Sequence, residues 1–472
     1  MNLNLLLPEI IVFSFSLMVL FVSLFWNNRK PSLTLGLMSI AGLLLAIGAF
    51  VVIPRVGATA FGGMFVADGF SLFFRVLFLN LAAMIVLLAI DFMREFQRHL
   101  GEFYFLLLIV ALGAMLMSSA NDLIMIFLAL ELLSLPSYIL VGFAKRDPRS
   151  NEAALKYFLL GVLASAMLLY GMSLIFGLTG STGLVDIASK FEASGGSAGP
   201  ALLVAIIMII AGFGFKIAAV PFHFWSPDTY EGAPTSVTVL LATLSMIGGF
   251  VGLYRLFFIA LPDYLDIWTK VIFILAFLSM TMGSLIAMSQ DNLKRLLAYS
   301  GIAHGGYILI AFSVATFDSQ WSVLVYFLAY IFMTVGAFAV AMVVERARGS
   351  SEISALGGLG YSNPFLGVTM TIFMMSLVGL PPFAGFIGKL YVFKSAVEGG
   401  ALFLVLVAIV TSVISLYFYL KVVRQIYFVK GDGEAVPTPN LSFAVIALCA
   451  IYTILICLYP EFFTRIALAA IS

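Results

Sequence analysis

Charge is what this chain has least of. Only 10% of its 472 residues are Asp, Glu, Lys or Arg, against 63% hydrophobic, whereas a soluble globular protein carries about 25% charged residues. That shortage excludes a water-facing surface over most of the molecule. The formal net charge of +1 excludes a strong global field of the kind that draws nucleic acid or an acidic partner. Cysteine is nearly absent: Cys449 and Cys457 lie in the last apolar run, form no CxxC pattern and read as inert membrane-helix residues. Histidine occurs only as His99, His223 and His304, which makes haem or iron–sulfur ligation by this chain alone an unpromising reading. No basic segment precedes the first apolar run, Leu5 to Trp26, and no A-x-A-like site follows it. It therefore reads as a retained helix and not as a signal peptide. No Ser–His–Asp, Walker A or GxGxxG pattern stands in a strand–loop–helix context; GFGFKIAAVPF lies inside an apolar run and is rejected as a nucleotide loop.

What is present is a succession of apolar runs of roughly the 20 residues that cross a bilayer core as a helix. They number about fourteen, near 5–26, 32–53, 69–90, 103–119, 121–143, 153–177, 201–224, 234–259, 268–288, 296–316, 321–344, 364–397, 400–428 and 441–464. The expected fold is an all-α polytopic membrane protein. Loops after odd-numbered spans hold Arg29 and Lys30; Arg94 and Arg98; Lys145, Arg146 and Arg149; Lys294 and Arg295; Arg346 and Arg348; Arg424 and Lys430. Even loops offer little beyond Arg55, Lys190 and Lys270. The positive-inside rule then puts the odd loops in the cytoplasm and both termini outside. One odd loop, Phe224 to Ala233, has no Lys or Arg and instead carries Asp228 and Glu231.

Two spans are broken by proline. In GFGFKIAAVPFHFWSPDTYEGAP, Pro221 follows Lys216 by five residues, lacks an N–H and crowds the carbonyl of Ile217. In GLPPFAGFIGK, Pro381 and Pro382 leave the carbonyls of Leu377 and Val378 without helix partners, and Lys389 follows on the face of Pro382. Lipid tolerates a charge and freed backbone groups at one depth only where protein or a water-filled cavity surrounds them. The seventh and twelfth spans share this design five spans apart, an odd offset that inverts one unit against the other. Paired, interrupted segments of this kind point to a transport site. The expected layout is a three-helix segment over 1–98, inverted five-helix repeats over 99–262 (spans 4–8) and 263–432 (spans 9–13), and a last helix in 433–472.

Other charges also lie within spans. Glu131 sits mid-span in LALELLSLPSYIL, Arg75 in the third span, Lys156 early in the sixth and Lys421 late in the thirteenth. Each costs roughly 2.5–3.5 kcal/mol at a helix centre, so each needs a compensating partner or water. Lys156, Lys294 and Arg255 stand near span ends, where snorkelling to the interface competes with a functional role. Arg75 reads as a member of a structural ion pair. For Glu131, Lys216 and Lys389 a static pair competes with proton transfer, which is preferred because buried pairs seldom gain stability over apolar packing. Burial favours a neutral amine and a nearby carboxylate favours the ammonium. A helix movement that changes the Glu131–Lys216 distance would therefore load or release a proton. His304, in the tenth span, and His223, inside the first break, read either as packing residues or as proton relays.

These stretches, LALELLSLPSYIL, SNEAALKYFLLGVLASAMLLYG, GFGFKIAAVPFHFWSPDTYEGAPTSVT, DNLKRLLAYSGIAHGGY and GLPPFAGFIGKLYVF, make the chain similar to subunit N of bacterial NADH:quinone oxidoreductase (respiratory complex I), an antiporter-like membrane subunit. The resemblance implies a polar, hydrated axis through Glu131, Lys156, Lys216 and Lys389, with His304 added from the residues themselves. Asp228, Glu231 and His223 are candidate entry or exit points. It implies that redox energy released in other subunits drives proton transfer here. NADH, FMN, iron–sulfur clusters and quinone would belong to partner subunits, and the complex would sit in the bacterial inner membrane. One departure stands out: Met246 occupies the place where many relatives carry an eighth-span lysine, so ordered water and His304 are expected to bridge Lys216 and Lys389. Two alternatives are a subunit of a multi-subunit cation/proton antiporter and a structural module whose buried ion pairs only hold a larger enzyme together.

Overall fold

A computed structural model of the chain describes residues 3–25, 31–51, 57–92, 99–193, 199–430 and 435–471. Arg29, Lys30, Arg55, Arg94 and Arg98, used above for orientation, lie outside the described residues. The order begins with helices α1 (Leu7–Phe25) and α2 (Pro31–Ala49), then a short antiparallel hairpin, β1 (Ala58–Ala60) and β2 (Phe65–Ala67). Next come α3 (Gly69–Phe92), α4 (Leu100–Ser118), α5 (Leu123–Val141), α6 (Pro148–Thr179), α7 (Leu184–Ala193) and α8 (Pro200–Lys216). The first break leads into α9 (Trp225–Gly232), α10 (Thr235–Leu240) and α11 (Met246–Tyr254). The chain continues with α12 (Leu265–Ala287), α13 (Leu293–Val314), α14 (Phe317–Arg348) and α15 (Leu359–Ser362). It ends with α16 (Pro364–Val378), α17 (Ala384–Glu398), α18 (Leu402–Phe428), α19 (Asn440–Leu458) and α20 (Pro460–Ile471).

Helix starts follow capping chemistry. Asp122, Asp147, Asn292, Thr316 and Asn363 each accept an orphan backbone N–H in the first turn of α5, α6, α13, α14 and α16. Pro148 and Pro364 stand at the first helical position, where a missing N–H costs nothing. Among the described residues, twelve helices are long and apolar enough to cross a membrane. The expected seventh and twelfth spans are not among them. They are shorter helices, Pro200–Lys216 and Pro364–Val378, each ending at a break.

At the breaks the chain leaves the helix as the prolines require. After Lys216, Ala218 takes φ 53°, and the N–H of Val220 is taken by Ser279 Oγ at 2.9 Å. After Val378, Gly379 caps α16 in the left-handed region (φ 93°). The Val220–Pro221 and Pro381–Pro382 peptide bonds are both cis. Two π-type turns, Leu241–Ser245 and Arg255–Ala260, flank α11.

The residues cluster into two units. One comprises Met1–Ile217, Leu244–Val271 and Ala470–Ser472; the other comprises Ala218–Thr243 and Ile272–Ala469. In the first, α4 packs on α1 and α5, and α6 on α8. In the second, α14 packs on α16, α17 and α19, and α13 on α9 and α17. Large apolar side chains left exposed gather on single faces, such as Leu155, Leu159 and Leu163 of α6 and Leu406, Val410 and Val413 of α18. Such faces suit lipid or an apolar partner, not water.

Candidate proton-transfer site

The first unit builds a site around Lys216. Lys216 ends α8, is only 3% exposed, and donates from its ammonium to Ser134 Oγ at 2.9 Å and Tyr157 OH at 3.4 Å. Ser134 lies one helical turn beyond Glu131 on α5, so the carboxylate comes within electrostatic reach of the lysine. Glu131 itself accepts from Ser165 Oγ at 2.6 Å. Gly249 of α11 makes room for the lysine stem, since a Cβ there would lie 3.0 Å from Lys216 Cγ. Lys156 makes its ion pair outside this cluster. Its side chain is 46% exposed and pairs with Glu152 at 2.8 Å, one turn back on α6. Met246, at 4% exposed, opens α11 directly after a π-type turn.

The second unit builds a different site around Lys389. Its ammonium donates to the Val378 carbonyl at 2.7 Å and to Ser412 Oγ at 3.0 Å, and lies 4.5 Å from the centre of the Tyr307 ring. The Val378 carbonyl is one of the two that Pro381 and Pro382 deprive of helix partners. The other, of Leu377, faces His304. His304 is clamped between phenols, Nδ1 with Tyr326 OH at 2.7 Å and Nε2 with Tyr419 OH at 3.3 Å. Its ring lies within electrostatic reach of Lys389. A crevice of about 420 Å³ opens beside Lys389 and Ser412, walled by Phe393, Ile409, Val413 and Leu416.

The acidic segment after the first break is not a bare loop. It forms α9, and both carboxylates, Asp228 and Glu231, accept from Arg295 Nη1 at 2.7 and 3.0 Å. The neighbouring Lys294 reaches the Ala233 carbonyl at 3.1 Å and Glu345 at 3.2 Å, and Glu345 also accepts from Thr235. Two cations at the N-terminus of α13 oppose the helix dipole, so three carboxylates are gathered to offset them. His223 is buried beside the Phe224 ring, and its Nδ1 has no partner among the described residues.

Sequence reasoning left Lys294 and Arg255 open between snorkelling and function, and both are buried. Arg255 makes a bidentate pair with Asp68 (2.6 and 2.7 Å) and also donates to the Ser118 carbonyl. Burial pushes the Asp68 carboxyl up, but hydrogen bonds and charge from Arg255 outweigh it and hold the group below its usual value. Arg75 pairs with Glu9 at 2.6 Å and with the Leu5 carbonyl at 2.8 Å, as a structural ion pair should. Lys421 pairs with Asp291 at 2.6 Å. The missing signal for Arg255 was Asp68, which sits at the foot of a hairpin that hydropathy does not reveal. Among the described residues, no group of three or more His, Cys, Asp or Glu could hold a metal ion.

Comparisons with known proteins place the chain in a family and its fold among solved structures. Residues 120–415 match the family model described as NADH:quinone oxidoreductase/Mrp antiporter, transmembrane. NADH-quinone oxidoreductase subunit N from Trichlorobacter lovleyi is 41% identical over 92% of this chain and 89% of its own length. The chain belongs to the subunit N family of NADH-quinone oxidoreductases. A chain of respiratory complex I from Thermus thermophilus, solved with bound aureothin, superposes on this subunit N homologue with a TM-score of 0.83 at 33% identity, covering 97% of this chain and 99% of that one. A chain of the Mrp complex from Dietzia sp. has a TM-score of 0.85 at 21% identity, covering 100% and 97%, and so shares the fold. Both lysine sites, from Glu131 to Ser412, fall inside the matched residues.

Proposed function

We propose that this chain is a proton-translocating membrane subunit of an NADH:quinone oxidoreductase, moving protons with energy released by electron transfer from NADH to quinone in other subunits. One observation carries the reading. Lys216 stands at a helix end, buried, held by neutral hydroxyls, with Glu131 in electrostatic reach. A static pair would place the two charges in direct contact, whereas a loosely coupled pair can exchange protonation when a helix shifts. Glu131, Lys156, Lys216, Lys389 and His304 are the proposed carriers. His304 with ordered water carries the proton past Met246. Asp228, Glu231 and His223 are proposed entry or exit points, opened when Arg295 releases its carboxylates.

The proposed layout keeps the N-terminal segment 1–98, the inverted repeats 99–262 and 263–432, and the last helix in 433–472. NADH, FMN, iron–sulfur clusters and quinone are assigned to the peripheral and membrane partners. The proposed location is the bacterial inner membrane with both termini outside, on the strength of Lys145 and Arg146 between α5 and α6, Arg149 in the first turn of α6, and Arg346 and Arg348 in the last turn of α14. The family model also covers Mrp antiporters, so an antiporter subunit is the second reading. Flavin and iron–sulfur proteins co-purifying with the chain support the first reading; small hydrophobic partners without them support the second. Lys216→Ala tests the mechanism in reconstituted complex: lost pumping with intact assembly is the expected result, and lost assembly alone would make the chain a scaffold.

A further inference from the structure

Lys389 donates to two acceptors of different kinds. The Val378 carbonyl can accept a hydrogen bond but has no proton to pass on, so it holds the ammonium and conducts nothing. The Ser412 hydroxyl accepts from Lys389 and has a proton of its own, which it donates to Tyr307 OH at 3.3 Å. Tyr307 in turn lies 3.2 Å from Thr411 Oγ1, whose hydroxyl is committed to the Val407 carbonyl at 2.9 Å. The row therefore has one orientation, from lysine to serine to phenol. Beside the phenol lies Ser284 Oγ, fully buried and without a well-formed hydrogen bond of its own. Ser412 borders the open crevice at Lys389, while Tyr307 is 1% exposed and lies on the interior side, against the His304 ring.

We infer that Ser412 and Tyr307 relay the proton that Lys389 releases, carrying it from the crevice side into the interior of the second unit. The inference rests on the reading of Lys389 as a carrier. In the step, the Lys389 N–H bond breaks as an O–H bond forms on Ser412. The proton that Ser412 already held passes to Tyr307, and the phenolic proton passes to a water molecule on the Ser284 side. One proton enters the row and one leaves, both hydroxyls end neutral, and the lysine is left as the free amine. The transfers are concerted because an isolated phenolate or alkoxide would be a bare charge in an apolar interior. The Ser412-to-Tyr307 step, at 3.3 Å, is longer than the usual O–H···O spacing of about 2.7–2.8 Å, so transfer waits on a contraction of α13 against α18. The Tyr307 ring has a second part in this, since its face steadies the ammonium before release.

The test uses the complete complex in proteoliposomes, with proton uptake measured against NADH oxidation by quinone. Tyr307→Phe keeps the ring against Lys389 and removes one oxygen. Ser412→Ala removes the other hydroxyl, and Ser412→Thr retains one. The expected result is a fall in pumping on the order of a hundredfold for Tyr307→Phe and Ser412→Ala, with Ser412→Thr restored. If both hydroxyl-deleted variants pump as the parent does while Lys389→Met does not, the relay is overturned and the carrier role of Lys389 stands. If Lys389→Met itself pumps normally, the carrier reading fails and takes the relay with it. Should Tyr307→Phe fail to assemble, the contrast between Ser412→Ala and Ser412→Thr decides.

Discussion

The two lysine sites solve one problem by different means. Lys216 ends the helix before its break and binds side-chain hydroxyls, with Glu131 acting through space. Lys389 follows its break and folds back onto a carbonyl that the break releases, with a ring face and one hydroxyl completing its surroundings. Neither bonds a carboxylate directly among the described residues, whereas Arg75 and Arg255 each grip one at 2.6 Å. On the proposed function, the difference separates anchoring from conduction. An arginine in a bidentate pair stays charged and fixed. A lysine among neutral oxygens keeps both protonation states open, because a hydroxyl can accept from an ammonium or donate to an amine.

That contrast breaks if a lysine site responds to mutation as an arginine anchor does. Asp68→Asn leaves Arg255 buried with a weakened partner and should cost about 2 kcal/mol, seen as a lowered Tm and a lower yield of assembled complex. Glu131→Gln should instead change stability by less than about 1 kcal/mol while lowering pumping on the order of a hundredfold. Equal destabilisation in the two variants would make Lys216 an anchor and collapse the distinction.

The glycines beside the lysines sharpen the comparison further. Gly379 holds φ 93°, and a Cβ there would lie 2.8 Å from Lys389 Cδ, so Gly379→Ala should cost about 1–2 kcal/mol and displace the lysine. Gly249 is helical, so Gly249→Ala meets only side-chain crowding at Lys216 and Ile217 and should cost less, about 1 kcal/mol. Thermal unfolding of the two variants, read beside their pumping, would show whether the second site is the more tightly built.

The smallest effect concerns pH. Asp68 is held below its ordinary value by Arg255, so its stabilisation is present above the unfolded carboxyl pKa of about 3.9. It is lost as pH falls through the still lower folded value. Stability should therefore show no Asp68-dependent change between about pH 5 and 8 and begin to fall only below about pH 4. Comparison of parent and Asp68→Asn melting curves checks this; an Asp68-dependent loss near neutral pH would contradict the assignment.

Much of the site was legible beforehand because its signals are local. A proline's missing N–H acts within one turn, and the carbonyls of Leu377 and Val378 could be named from Pro381 and Pro382 alone. Their takers could not, since Lys389 and His304 reach them only when α17 packs on α16 and α13 on α17. The hydroxyl partners of Lys216 were equally hidden. Ser134 is 82 residues away, and serine in an apolar helix usually bonds its own backbone. The expectation of a base-free acidic loop was right in letters and incomplete in space, because Arg295, 64 and 67 residues on, supplies the base.

Hydropathy, proline placement and a few charges in apolar runs were enough to set the class of this protein, its helical build and the two breaks. Those features act through solvent and through backbone geometry, neither of which needs a distant partner. Which buried cations meet a carboxylate and which meet neutral oxygens was decided only on folding. That choice depends on whether a carboxylate or a neutral oxygen arrives within about 3 Å, and residues as far apart as Asp68 and Arg255 meet only through the packing of helices between them.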